Sequence, residues 1–186
     1  VEPAANVVLI LDRSGSMSTI VDTATKATRM DWVISGATTF VNTFKFNPPS
    51  QVAVISFGTI PTFESPFRTT APPLVDVIGK LKPQGGTNYN PPMLDTSFGA
   101  IKLLAGERPG VRRIVIFLTD GQPDKDPLTD SISKLCNQQS IQFYAITIGT
   151  KMNKDLQTIA TRTGGKAFEA NTKDDLIAIY RLIALE

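Results

Sequence analysis

The amino-acid sequence predicts an α/β fold with a doubly wound, mainly parallel central sheet and helices on both of its faces. Two uninterrupted apolar runs lead to aspartates, at Asp12 and Asp120, and such runs are typical of strands buried on both faces. Segments with helical periodicity lie between the strands, which favours right-handed crossovers in a Rossmann-like arrangement. The 186 residues, of which 41% are hydrophobic, suffice for one well-buried domain, which we expect over residues 1–186.

The predicted strands are short and are separated by turns or helices. They cover residues 7–12, 51–57, 62–67, 111–119, 141–148 and 167–170. The third of these follows a tight turn, so we expect it to be a short antiparallel partner of the second. Pro66 near its end is typical of an edge strand, because proline cannot donate to a neighbouring strand. The polar segment 17–29 after the first strand is predicted to be a long loop, either mobile or part of a binding rim.

Helices are predicted where apolar residues recur every three or four positions. The first helix is expected to stop at Asn47-Pro48-Pro49, because the residue before a proline disfavours the helical conformation. A longer helix is predicted from Asn90, as its N-cap, to Gly106. Its expected buried residues are Leu94, Phe98, Ile101 and Ala105.

Two later helices carry further predictions about their ends and their buried faces. Asp126 is predicted to cap the helix after the strand that leads to Asp120. The expected inward residues of that helix are Ile132, Leu135 and Cys136. In the last helix, Thr172 and Asp175 have the spacing of a capping box.

The composition excludes several classes of function. A formal net charge of +2 with scattered Lys and Arg gives no basic patch for a nucleic acid. No apolar stretch approaches the roughly 20 residues that a membrane span needs, and we expect no signal peptide within these residues. The chain lacks an initiator Met, so we expect it to be part of a larger polypeptide.

Histidine is absent from the chain, and cysteine occurs once. The absence of histidine excludes Ser-His-Asp and Cys-His catalysis within this chain, and any metal centre with histidine ligands. The single Cys136 excludes an internal disulfide and is predicted to be a buried structural thiol.

Oxygen-bearing side chains follow the first strand at alternate positions. Asp12, Ser14 and Ser16 supply only oxygen ligands, and Gly15 lets the loop fold tightly enough for them to converge. Such a set suits a hard cation, Mg²⁺ or Mn²⁺, better than zinc. Taken alone, the same residues favour a helix N-cap that holds backbone N–H groups, and the rest of the chain decides between these interpretations.

A second carboxylate and a further hydroxyl are expected at the same edge of the sheet. Doubly wound sheets bind ligands beyond the carboxyl ends of the strands, where the strand order reverses. Asp12 and Asp120 follow the two strands expected to flank that point, and the glycine-rich loop that contains Thr87 can reach it. Two carboxylates this close repel each other unless a cation or a proton intervenes. We therefore expect Asp120→Asn to be no less stable than the wild type in chelator.

Three short motifs together carry a resemblance to a known family. They are Asp12-Arg13-Ser14-Gly15-Ser16, Gly85-Gly86-Thr87 and Thr119-Asp120-Gly121. In type and order they resemble the metal-ion-dependent adhesion site of the von Willebrand factor A domain, and the resemblance covers essentially the whole chain. It implies that Ser14, Ser16 and Thr87 are direct hydroxyl ligands. It also implies that Asp12 and Asp120 coordinate the metal directly or through a water molecule. The expected metal is Mg²⁺ or Mn²⁺, with Ca²⁺ as a further option.

The resemblance implies a binding module and not an enzyme. In this family an Asp or Glu carboxylate of a protein partner takes the remaining position on the metal. The surrounding loops, 17–29, 84–90 and 121–126, are expected to supply specificity. The expected rim residues are Arg13, Met17, Asn88, Tyr89 and Gln122. We expect no nucleic-acid partner and no direct insertion into a membrane.

Two other functions share features with this sequence. A phosphatase of the haloacid-dehalogenase type also begins with Asp at a strand end, but Ser14 stands where that family has an acid. A Gly-Lys-Ser/Thr phosphate-binding loop is missing as well. The von Willebrand factor A family also includes intracellular scaffold subunits of ATPase-driven chelatase-like or stress-resistance complexes. The motifs do not separate that role from adhesion, and an extracellular or cell-surface location is slightly preferred over the cytoplasm.

Overall fold

The computed structural model describes residues 4–46, 50–106 and 110–185, which form eight strands, seven α-helices and one 3₁₀ helix. The strands are β1 (Ala5–Asp12), β2 (Ile20–Asp22), β3 (Ala27–Thr28), β4 (Gln51–Phe57), β5 (Pro61–Arg68), β6 (Arg112–Thr119), β7 (Ile141–Ile148) and β8 (Ala167–Ala170). The helices are α1 (Arg29–Thr43), α2 (Ala71–Gly79), α3 (Asn90–Leu94), α4 (Ala100–Leu104), α5 (Thr129–Gln138), α6 (Lys154–Arg162) and α7 (Lys173–Leu185). Within these residues, no helix is long and apolar enough to cross a membrane.

The central sheet has six strands in the order β5-β4-β1-β6-β7-β8. All neighbouring pairs are parallel except β4 and β5, which are antiparallel at the edge. The remaining strands, β2 and β3, pair separately. The prediction of a doubly wound, mainly parallel sheet with one antiparallel edge strand is therefore confirmed.

Both faces of the sheet are covered by helices, which explains why its central strands are apolar without interruption. Alternate side chains of a strand point to opposite faces. In β1, Leu9 lies in the core beneath α1, α2 and α7, whereas Ile10 lies in the core beneath α3 to α6. Cys136 of α5 is fully buried in the second core, as predicted.

The segment 17–29 is not the long loop that its polar composition predicts. It contains the end of a 3₁₀ helix, Gly15–Ser18, followed by the β2–β3 hairpin. Asp22 shapes the hairpin turn, because its Oδ1 accepts the backbone N–H groups two and three residues further on, at 2.9 and 3.4 Å. Hydrophobic periodicity does not report such short-range polar bonding, so the prediction missed it.

The single helix predicted over residues 90–106 is two short helices, α3 and α4. Asp95 lies between them, and its Oδ1 accepts the N–H groups of Ser97 and Phe98 at 2.8 and 3.0 Å. This local bonding competes with helix continuation. The residues buried in the core are Met93, Ala100 and Leu104, whereas Ala105 of the predicted stripe is exposed and its other members are partly buried.

Asn90 and Asp126 do not cap helices as predicted. The Asn90 side chain holds the neighbouring loop instead, because its Oδ1 accepts the Leu128 N–H at 2.8 Å and its Nδ2 donates to the Asp126 carbonyl at 3.1 Å. α5 begins without a side-chain cap. Leu135, predicted to be inward, is 36% exposed.

The capping box predicted for the last helix is present. The Asp175 N–H donates to Thr172 Oγ1 at 3.0 Å, and the Thr172 N–H donates to Asp175 Oδ2 at 3.2 Å. The predicted helix stop at Asn47-Pro48-Pro49 lies outside the described residues, and α1 ends before it, at Thr43.

Candidate metal centre

The candidate site lies at the carboxyl ends of the adjacent strands β1 and β6. The chain passes from β1 to β4 and β5 on one side and then returns to β6 on the other, so the strand order reverses between β1 and β6. Asp12 is the last residue of β1, and Asp120 directly follows β6. The topology therefore brings together the two carboxylates that the sequence singles out.

Asp12 is fully buried and is held by three hydrogen bonds. Its Oδ1 accepts the Ser14 N–H at 2.7 Å, and its Oδ2 accepts the Thr119 hydroxyl at 2.7 Å and the Asp120 N–H at 3.4 Å. Burial raises the pKa of Asp12 to about 6, because it removes water from the ionised form. The hydrogen bonds of Ser14 and Thr119 oppose this rise, and the charge of Asp120 adds a smaller increase.

Two hydroxyls connect this carboxylate to the second one. Ser14 Oγ and Ser16 Oγ are 3.1 Å apart, and the Ser16 hydroxyl donates to Asp120 Oδ1 at 2.8 Å. Asp12, Ser14, Ser16 and Asp120 thus form one hydrogen-bonded chain of oxygen-bearing residues. An oxygen-only set of this kind can serve a hard divalent cation.

Thr87 lies on the neighbouring glycine-rich loop and is 7% exposed. This loop is joined to the loop after β1 because the Gly15 N–H donates to the Gly85 carbonyl at 2.8 Å. From the other side it is held by Asp124, whose Oδ2 accepts the Thr87 N–H at 2.7 Å. The Asp124 N–H in turn donates to the Thr87 carbonyl at 2.7 Å. Asp124 therefore helps to hold Thr87 in position, although no feature of its sequence spacing indicates this role.

Arg29 is a second residue that the sequence analysis missed. Its Nη1 lies 3.1 Å from Asp120 Oδ2, and its side chain is 21% exposed whereas that of Asp120 is buried. Arg29 is the first residue of α1 and comes to the site from outside the three motifs. Asp120 is thus already paired with the positive charge of Arg29. We predicted from the sequence that Asp120→Asn would be no less stable than the wild type in chelator. The ion pair is a reason to expect this variant to be less stable.

Two of the predicted rim residues lie in the interior. Met17 is fully buried in the core beneath α1, and Tyr89 is 1% exposed. The Tyr89 hydroxyl lies 3.3 Å from Thr119 Oγ1 and donates to the Gly121 carbonyl. Neither side chain can contact a partner in this arrangement. We had placed them on the rim because they are close to the motifs in sequence. Their side chains lie in the interior instead, because burying their apolar surface is favourable.

The other predicted rim residues lie nearer the surface. Gln122 is exposed and accepts the Asn153 side-chain amide at 2.6 Å, and Asn88 is half-buried. Arg13 is also half-buried, and its Nη1 donates to the Lys82 carbonyl at 3.3 Å. These three side chains border the loops that surround the candidate ligands.

The donor set restricts which metal the site fits. The described residues contain no cluster of three or more His, Cys, Asp or Glu side chains that could hold a metal ion. A metal at this edge therefore needs hydroxyl ligands in addition to the two carboxylates. Serine and threonine hydroxyls are neutral, hard donors, so the set fits Mg²⁺ or Mn²⁺.

The fold and these residues define an α/β domain with a candidate oxygen-ligand metal site at its switch point. The family model of the von Willebrand factor type A domain matches residues 6–181, and the chain therefore belongs to that family. A search of curated proteins finds no match to the sequence.

Solved structures with the same fold come from bacteria and from an animal. A von Willebrand factor type A protein from Catenulispora acidiphila superposes with a TM-score of 0.81 at 18% identity, over 99% of this chain and 42% of that chain. Proximal thread matrix protein 1 from the mussel byssus superposes with a TM-score of 0.75 at 21% identity, over 98% of this chain and 46% of that chain. That structure has zinc in its metal-ion-dependent adhesion site (MIDAS) motif. The PilB minor pilin from Streptococcus sanguinis superposes with a TM-score of 0.69 at 15% identity, over 99% of this chain and 61% of the pilin chain.

The similarity to these proteins lies in the fold. At identities of 15–21% the similarity is one of architecture. The chain spans less than half the length of the Catenulispora and mussel proteins.

Proposed function

We propose that this domain is a divalent-metal-dependent protein-recognition module without catalytic activity of its own. The proposed ligands are Asp12, Ser14, Ser16, Thr87 and Asp120. The observation that supports the proposal most strongly is the hydrogen-bonded chain that runs from Asp12 through both serines to Asp120 at the switch point. The zinc-occupied MIDAS motif of the mussel protein shows that a divalent metal binds this fold elsewhere.

The partner in this proposal is a protein that presents an Asp or Glu carboxylate to the metal. When bound, Mg²⁺ or Mn²⁺ supplies an electrophilic position for a carboxylate oxygen. The residues of the chain prepare that position: Thr119 orients Asp12 through its hydroxyl, and Asp124 holds the Thr87 loop. Because the contact is charge-assisted and partly desolvated, we expect it to contribute more to affinity than any single loop residue.

Metal titration tests the first half of the proposal. Chelator-treated wild type is expected to bind Mn²⁺ or Mg²⁺ saturably, with binding lost in Asp12→Ala and strongly weakened in Asp120→Ala, as measured by calorimetry. Asp76→Ala is a matched control, because Asp76 is 72% exposed on α2 and its ion pair among the described residues is a 3.5 Å contact with the exposed Lys80. Metal binding that is unchanged in both site variants would refute the ligand assignment.

The dependence of partner binding on metal tests the second half. Chelation is expected to abolish binding of a protein partner without unfolding the domain, which circular dichroism verifies on the same sample. Replacing the partner's contacting Asp or Glu by its amide is expected to remove most of the affinity, because an amide is a weaker ligand for a hard cation. Equal partner binding with and without chelator would instead favour the intracellular scaffold role, with a structural metal.

A further inference from the structure

We infer that Arg29 sets the ligand preference of this site by adding a positive charge next to the metal position, which weakens cation binding and strengthens the binding of an anionic ligand. This inference rests on the proposed function and assigns a specificity role to a residue outside the three motifs. It follows from how Arg29 is held, from how Asp120 divides its two oxygens, and from the charge of the loaded site.

Hydrogen bonds anchor the backbone at Arg29, the residue from which the guanidinium reaches the site. The Arg29 N–H donates to the Thr19 carbonyl at 3.0 Å, which joins the start of α1 to the end of the loop after β1. Thr28 and Asp31 form a capping box that starts the helix at this residue. A well-anchored helix start delivers the guanidinium to one place at low entropic cost.

A glycine makes room for the guanidinium. Gly149, after β7, has a φ of +71°, and a Cβ placed on it would lie 3.3 Å from Arg29 Nε. Arg29 Nε is itself buried and has no hydrogen-bond partner among the described residues. Packing thus buries the Nε side of the guanidinium, and within the described part of the chain Arg29 forms an ion pair with Asp120.

Asp120 uses its two carboxylate oxygens for different partners. Oδ1 accepts the Ser16 hydroxyl at 2.8 Å, on the side of the candidate ligands. Oδ2 accepts Arg29 Nη1 at 3.1 Å. Asp120 can therefore serve a metal through Oδ1 while its contact with Arg29 persists at Oδ2.

The charge of the loaded site follows from this arrangement. Two carboxylates balance a divalent cation, and Arg29 then leaves one positive charge at the site. Asp124 adds a negative charge near Thr87, but it is an exposed residue and solvent screens it more than the largely buried Arg29. An incoming carboxylate therefore meets a positive centre, whereas an incoming metal ion meets a site whose negative charge is already reduced.

The test measures metal and anion affinity separately on Arg29→Gln. Mn²⁺ affinity is read by electron paramagnetic resonance, and acetate, as the carboxylate probe, is titrated into the Mn²⁺-loaded protein and followed by water-proton relaxation. We expect Arg29→Gln to bind Mn²⁺ several-fold more tightly and acetate several-fold more weakly than wild type, in the same preparation. Arg29→Lys keeps the charge and is expected to stay close to wild type in both readings.

Arg181→Gln is the matched control, because it makes the same charge change at an exposed position of α7. It is expected to leave both affinities unchanged. If Arg29→Gln does not fold, Arg29→Met, which keeps the apolar stem, is measured in its place. Circular dichroism in chelator establishes folding for each variant.

The outcomes separate this inference from the proposed function. Failure of wild type to bind Mn²⁺ would overturn the proposed function itself. If wild type binds Mn²⁺ and the Arg29 variant weakens both metal and acetate binding, Arg29 merely positions Asp120 and the inference is overturned. Unchanged acetate affinity in Arg29→Gln would overturn it as well.

Discussion

Raising the pH of the metal-free domain from about 4 to about 8 is expected to destabilise it through Asp12. Burial raises the pKa of Asp12 from 3.8 to about 6, so the folded state holds this proton more tightly than the unfolded chain does. The stability contributed by protonated Asp12 is fully present below 3.8 and is lost as the pH rises through about 6. Above that value the loss reaches a plateau.

The size of the effect follows from the interval between the two pKa values. At about 1.36 kcal/mol per pH unit, the rise of the Asp12 pKa to about 6 corresponds to roughly 3 kcal/mol of unfolding free energy. Asp12 is fully buried in the folded state, so solvent screening does not reduce this figure appreciably. Metal binding should offset the loss at neutral pH, because the cation favours the ionised carboxylate.

Urea denaturation across this pH range, in metal-free buffer, measures the effect. Other carboxyl groups also titrate, so the informative quantity is the stability of wild type minus that of Asp12→Asn, which lacks the titrating group. This difference is expected to fall by roughly 2.5 kcal/mol between about pH 4 and about pH 7, because the rest of the change lies below pH 4. A flat difference would refute the reasoning, since it would mean that Asp12 titrates alike in both states.

Three further predictions concern residues whose contacts the structure describes. Asp124→Ala removes the acceptor of the Thr87 N–H and is expected to weaken Mn²⁺ binding several-fold. Asp126→Ala, at an exposed position of the same loop, is the control, and an unchanged Mn²⁺ affinity of Asp124→Ala would contradict the prediction. Asp120→Asn is expected to lower stability in chelator by about 1–3 kcal/mol, because it leaves the Arg29 guanidinium without its charged partner; equal or higher stability in urea denaturation would restore the repulsion argument. Burial raises the pKa of Cys136 to about 12, so a thiol reagent is expected to react with the folded protein only at the rate of opening, and fast reaction under native conditions would contradict this.

Much of the fold could be predicted because the strands carry a strong physical signal. A strand that is buried on both faces is apolar at nearly every position, and β1 places Val8 and Leu9 in opposite cores. The helix predicted over residues 90–106 failed for the converse reason. Its periodicity is real, but the side-chain bonding of Asp95 to nearby N–H groups ends the helix locally.

The candidate site was predictable only where chain direction and strand order dictate it. Asp12 and Asp120 had to meet once β1 and β6 were neighbours, because both follow the carboxyl ends of parallel strands. Arg29 and Asp124 reach the same site from a helix start and from a loop, through contacts 91 and 37 residues apart in sequence. No local sequence pattern encodes such contacts. They nevertheless change the charge balance at the site, and with it the repulsion that we expected between the carboxylates of Asp12 and Asp120. A motif can therefore name the ligands of a metal site, whereas its electrostatic preference depends on the residues that pack around them.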